Sequence, residues 1–229
     1  GASDDAATAL QAAQRAASDG GLHPLRVRVA AARARFTLAV SGPRAARAIL
    51  DGCPLNEGDE VSLRIKGEWS LSQVLVRLAL GDHAAALAAC NRLREDTELA
   101  GWTELAAFAQ GLEAVLRGQG EDLLAAVRSL DQLKARRSLS RLLLAAGRLE
   151  QDNAVLKMAV SEARRARDAF LLLEALEAVG SPEAQAEARP LVSRVLAGAT
   201  GTTRERLRGR SEVAWALTRP ETGEVVGAG

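Results

Sequence analysis

Apolar residues recur along this chain at helical spacing and are cut at intervals by glycine. The clearest case is Leu75 to Leu93, LVRLALGDHAAALAACNRL. Val74, Leu75 and Leu78 form one helical face that runs up to Gly81, and Ala86, Leu87, Cys90 and Leu93 form the face of a second helix. Gly81 suits the position just past a helix, because it reaches positive φ without a Cβ penalty. Asp82 suits an N-cap, where its carboxylate accepts from the free N–H groups of the next turn. So short a link predicts an antiparallel helix hairpin, and the alanines of its second arm let the two backbones lie close.

The same pattern predicts helices through most of the chain. Ser3 to Ser18 is the first, and Asp19-Gly20-Gly21 ends it. His23-Pro24 opens a second, which runs to Val40 and is broken by Ser41-Gly42-Pro43. Arg44 to Leu50 is short, and Asp51 to Gly58 is a loop. A long helix from Asp59 to Leu80 contains Gly67, which predicts a bend or a split. Asp82 to Glu95, Thr97 to Arg117 and Glu121 to Ala135 follow. Ser138 is read as the cap of a helix that Gly147 stops at Ala146. Val155 to Ala169 and Phe170 to Val179 come next. Gly180-Ser181-Pro182-Glu183 reads as a stop, a cap and a first-position proline for a helix ending near Gly198. Thr202-x-x-Glu205 has the form of a capping box for a short last helix.

The tail changes period. Val213, Trp215 and Leu217 alternate, Pro220-Glu221-Thr222-Gly223 is turn-like, and Val225-Val226 follow. These positions predict a short β-hairpin or extended tail. The division expected is a helical repeat domain over 1–200 and, over 201–229, a short helix plus this tail.

Composition supports the all-α reading. Alanine and leucine dominate the apolar residues, while aromatics are 3% and β-branched strand formers are scarce. The net charge of +1 gives no global attraction to nucleic acid or anionic lipid. No apolar run approaches a membrane span, so no membrane partner is expected. Two cysteines, Cys53 and Cys90, make no disulfide framework, and a reducing cytoplasm is the expected setting. Gly1-Ala2-Ser3, with no initiating Met, is what a cleaved tag leaves, and the expectation is a fragment of a longer chain.

Breaks at Gly42, Gly81, Gly118 to Gly120, Gly147 and Gly180 are spaced around the mid-thirties, a period that in an all-α sequence means stacked helix pairs. The stretch LALGDHAAALAAC resembles the centre of a tetratricopeptide repeat, L-x-x-G-D-x-x-x-A. Gly81 stands at the turn glycine and Ala86 at the small residue that follows it. Gly120 and Ala125 repeat the pair, and Gly147 and Gly180 repeat the turn alone. The resemblance covers Asp4 to Gly198 and is to the degenerate repeats of large bacterial transcription regulators of the MalT/LuxR type, which also drop the aromatic consensus positions. It implies an α-solenoid of about five hairpins that binds peptides, protein partners or small effectors.

Motifs of catalysis are missing. There is no phosphate-binding G-x-x-x-x-G-K-[ST] and no G-x-S-x-G nucleophile elbow. His23 and His83 belong to no metal-ligand spacing, and His83 is assigned to packing. Cys90 is read as a small buried hydrophobe, and Cys53, in a loop, is the one candidate reactive thiol. Arginines cluster at Arg26 to Arg35, Arg136 to Arg141 and Arg204 to Arg210; without aromatic stacking partners they read as solvated faces or salt bridges between hairpins. The expected function is a non-enzymatic interaction or effector-sensing module, with no catalytic residue, cofactor or metal. A nucleic-acid-binding helical array that uses the arginine patches is the alternative. The expected partner face is the inner surface of the stacked hairpins, with Arg28, Arg35, Gln73, Arg77, Gln110 and Arg141 as its long polar side chains.

Overall fold

The computed structural model describes residues 2–56 and 59–218, and among these the chain is all helix, with no strand. The thirteen helices are α1 (Ala2–Asp19), α2 (His23–Ser41), α3 (Pro43–Asp51), α4 (Leu63–Ala79), α5 (His83–Leu99), α6 (Thr103–Arg117), α7 (Gly120–Gln132), α8 (Arg136–Glu150), α9 (Asn153–Ala166), α10 (Ala169–Val179), α11 (Pro182–Ala197), α12 (Gly201–Arg208) and α13 (Ser211–Leu217). None is long and apolar enough to cross a membrane.

One turn design recurs. Gly21, Gly81, Gly101, Gly118, Lys134, Gln151 and Arg167 all have positive φ. The residue after each donates its N–H to a carbonyl five positions back, as in Asp82 to Arg77, Gln119 to Ala114, Ala135 to Leu130 and Asp152 to Gly147. This is the Schellman closure of a helix C-terminus. The same residue is then the N-cap of the next helix, and Asp82, Asp152 and Asp168 cap with their own carboxylates. Gly101 and Lys134, Gly118 and Gln151, and Lys134 and Arg167 each lie 33 residues apart. The molecule is thus helical-repeat-like, with successive helices joined by links of one to three residues, apart from the longer stretch between α3 and α4.

Several sequence expectations are corrected here. Gly67 does not split α4: a Cβ there would lie 2.8 Å from Cζ3 of Trp102, so the glycine lets an indole sit against the helix. Asp59 does not begin that helix; its carboxylate accepts from the Asn56 N–H at 2.8 Å, and α4 starts at Leu63. Thr97 belongs to the end of α5, because the turn falls at Gly101. Gly147 does not stop α8, which continues to Glu150; a Cβ on it would meet Leu156 Cδ2 at 2.7 Å, so it is a point of close helix approach. Ser138 is inside α8, and its hydroxyl donates to Glu104 at 2.7 Å. The Thr202 capping box does not form, since α12 begins at Gly201 and Thr200 donates its N–H and hydroxyl to Asp4, each at 2.9 Å. Glu212 to Leu217 is helix α13 rather than a strand; Val213 and Ala216, three apart, are buried together on its helical face. The rest of the expected hairpin, from Arg219 on, lies outside the described residues.

Most of the core is one leucine and alanine cluster from α4 through α11, joined by Val213 and Ala216. A second cluster packs α2 and α3 on Trp69 and Val76 of α4. A third closes the molecule: Val40 of α2 meets Ala199 and Leu207, with Phe36 and Phe170 beside them. The last helices therefore return to the first. Arg210 reinforces this seam, because its guanidinium donates to the Leu38 carbonyl, to Glu174 at 3.1 Å and to Glu212 at 2.6 Å.

Candidate functional site

Closure of the chain leaves an open-mouthed cavity of about 750 Å³ between α2, α4, α8 and α10. That volume is within the usual range for small-molecule sites, roughly 300–1,000 Å³. Each wall follows from helical periodicity. Leu75 and Leu78 of α4, Leu144 and Ala145 of α8, and Leu38 of α2 face inward at spacings of three and four or across the turn, and Phe170 and Leu171 open α10. These positions extend the core faces of their helices, so the walls are mainly aliphatic.

Charges enter from the same helices. Arg137, Arg141, Ala145 and Arg148 form one stripe along α8, and Arg35 comes from α2. Asp168 and Glu174 supply the acids. Arg35 Nη1 donates to the Glu68 carbonyl at 3.0 Å and to Ser72 Oγ at 2.8 Å. Arg137 Nε is 2.8 Å from Asp168 Oδ2, and Asp168 also caps α10 through the Leu171 N–H. Arg148 Nη2 donates to the Glu174 carbonyl at 3.3 Å and lies 3.8 Å from Glu177. Arg141 has no hydrogen-bond or ion-pair partner among the described residues.

Burial decides the electrostatics here. Desolvation pushes the pKa of Arg35 down, opposed by Glu68 and reinforced by Arg141. Desolvation also pushes Arg141 down, opposed by Asp168 and Glu174 and reinforced by Arg137. Glu174 is raised by burial and then by Glu212, against the pull of Arg148, Arg210 and Arg141. Guanidinium groups remain charged at any ordinary pH. The cavity thus holds positive charge at a cost in desolvation.

The six expected partner-face residues separate. Arg35 and Arg141 share this cavity. Gln73 and Arg77 are hydrogen-bonded to each other at 3.2 Å and line a different hollow, beside Trp69 and Lys66, between α3, α4 and α5. Arg77 also pairs with Asp82 at 3.1 Å. Arg28 pairs with Glu68 at 3.4 Å, and Gln110 is exposed on α6, which contributes nothing to the cavity. Sequence reasoning passed over Arg137, Arg148, Asp168 and Glu174 as cavity residues. The spacing of Arg137, Arg141 and Arg148 on one helix face was the available signal.

The remaining candidates have ordinary surroundings. His83 is exposed at the cavity rim rather than packed, and His23 Nε2 lies 3.0 Å from Asp59. Burial raises the Cys53 thiol, which works against reactivity, and pushes buried Cys90 up to about 12. No group of three or more metal-ligating side chains occurs among the described residues. Several arginines outside the cavity join neighbouring helices: Arg94 to Glu113, Arg136 to Glu162 and Arg164 to Glu187. The chain matches no protein-family model, no curated protein and no solved structure.

Proposed function

We propose that this chain is a non-catalytic effector-sensing module, and that the cavity between α2, α4, α8 and α10 is its small-molecule site. One observation carries the reading: four helices distant in sequence line a half-open, largely aliphatic space into which an unpaired arginine, Arg141, projects. An apolar cavity with a few polar groups is the usual form of a ligand site. Its lining holds no nucleophile beside a base, which favours binding over turnover. Within this reading the architecture is a tetratricopeptide-like solenoid curled until its ends meet. The 33-residue recurrence of the turns supports that description. A place within a larger bacterial transcription regulator rests on the resemblance of the Leu78 to Cys90 stretch, and a cytoplasmic setting on the two cysteines, too few for a disulfide framework. The partner face narrows to Arg35 and Arg141, with a protein or peptide partner taken elsewhere on the surface. A nucleic-acid interface has less support, because each arginine cluster is partly engaged by internal acids and carbonyls, through Arg28, Arg35, Arg136, Arg137, Arg204 and Arg210.

The test is a small-molecule screen by thermal shift on the wild type and on Ala145→Trp, which fills the cavity from α8. A ligand at about a hundred times its Kd should stabilise by about 2.7 kcal/mol. For a chain of this size that raises Tm by roughly 5–10 °C. The shift should vanish in Ala145→Trp. A screen without a stabilising compound, or a shift that survives the filled cavity, refutes the reading.

A further inference from the structure

The effector's chemistry can be read from which charges in the cavity are already engaged. Arg35 is held by a carbonyl and a hydroxyl of α4, Arg137 by Asp168, and Arg148 by the Glu174 carbonyl of α10. Of the acids, Asp168 is divided between Arg137 and the α10 cap, and Glu174 is paired with Arg210. Arg141 alone among the cavity's arginines has no partner. It is half-buried at the middle of the α8 stripe; Arg35 and Arg137 add to the positive field around it, and Asp168 and Glu174, which make no direct pair with it, offset part of that field. A guanidinium so placed presents two parallel N–H donors, the match for one carboxylate. Around it the walls are Leu38, Leu75, Leu78, Leu144 and Leu171, with the phenyl ring of Phe170. The volume is far more than a lone anion fills.

Resting on the reading of this cavity as an effector site, we propose that the ligand is an aliphatic monocarboxylate. Its carboxylate accepts both donors of Arg141, and its hydrocarbon chain lies against the leucine walls. A single free guanidinium neutralises one negative charge; a dianionic phosphate would need a second uncommitted cation, and the other three arginines are engaged. No covalent step follows, and the ligand leaves as it came.

The experiment is isothermal titration of the full chain with octanoate, 1-octanol and inorganic phosphate, on the wild type, Arg141→Gln and Arg141→Lys. Octanoate should bind one to one. Arg141→Gln should weaken it about tenfold or more, the effect of losing a charge-assisted pair. 1-Octanol should bind more weakly and show the same affinity in both proteins. Arg141→Lys, which keeps the charge and loses the fork, should give a smaller loss, and it carries the test if the glutamine variant melts early. Octanoate binding unchanged in both variants, or 1-octanol binding as tightly as octanoate, overturns the carboxylate assignment and leaves an effector cavity that reads apolar shape alone. Phosphate binding as tightly as octanoate overturns the role of the chain. If neither octyl compound binds, the monocarboxylate proposal fails, and the library screen with Ala145→Trp decides the effector reading by itself.

Discussion

Replacing Gly111 by alanine tests the packing of the repeat at its tightest point. Gly111 is in α6, and a Cβ there would lie 2.9 Å from the Ala126 Cβ of α7 and 2.6 Å from Leu142 Cδ2 of α8. In an open helix position the substitution would stabilise by about 0.5–1 kcal/mol, because alanine is the better helix former. Here two helices are in the way. The leucine could rotate, but Leu142 is fully buried, and the alanine Cβ has no rotamer to change. Relief must come from moving α6 against α7, and overpacking of this kind costs about 1–3 kcal/mol. Less the propensity gain, a net loss of about 1 kcal/mol is expected from the middle of the two ranges. Gly120→Ala is the matched control, since a Cβ at the start of α7 would meet nothing within 4 Å. It should be neutral or slightly stabilising. Urea unfolding followed by far-UV circular dichroism measures both. The loss corresponds to a fall in Tm of roughly 2–4 °C. A Gly111→Ala protein as stable as the wild type would show that α6 does not lie against α7 and α8 at this distance.

Three further outcomes are expected. Ala86 is fully buried in α5, so Ala86→Leu should destabilise by about 1–3 kcal/mol in the same unfolding assay; a neutral result would place Ala86 away from the hairpin interface. Arg210→Met should cost about 3–5 kcal/mol, because it strips the partner from Glu212, which is 3% exposed, and opens the seam to Leu38; intact cooperative unfolding at the wild-type midpoint would count against the seam. The hydroxyls of Thr203 and Thr200 hold the Asp4 carboxyl at about 2, below its ordinary 3.8. A depressed carboxylate stabilises above its unfolded pKa and loses that contribution as pH falls through the folded value. The Tm difference between wild type and Asp4→Ala should therefore be full at about pH 5 and shrink toward pH 2; a difference independent of pH would mean that Asp4 does not tie α1 to Thr200.

Local rules in the sequence determined the helical elements and many of their ends. Alanine and leucine at helical spacing made helices nearly unavoidable. Asp82 after Gly81, and Ser181 before Pro182, fixed two helix starts, and both caps form, the Asp82 carboxylate accepting from Ala85 N–H and the Ser181 hydroxyl from Ala184 N–H. Glycine was a fallible guide to the turns, because a left-handed residue costs only about 1–2 kcal/mol without glycine. Lys134, Gln151 and Arg167 take that conformation where packing on both sides fixes the turn. Gly67 and Gly147, which look like breaks, are small because an indole and a leucine from other helices press on them. Only the tertiary structure could reveal that, since the neighbours are supplied by distant segments. In the tail, Val213 and Trp215 alternate like a strand, but Gln185 and Arg189 of α11 accept a helix end instead, donating to the carbonyls of Trp215, Ala216 and Thr218. The cavity was the least legible part. Arg35 and Arg141 are 106 residues apart, and they share one space because α12 and the start of α10 fold back on α2. Periodicity sets which face of a helix is apolar, but closure of the chain decides which faces meet and which arginine is left without a partner.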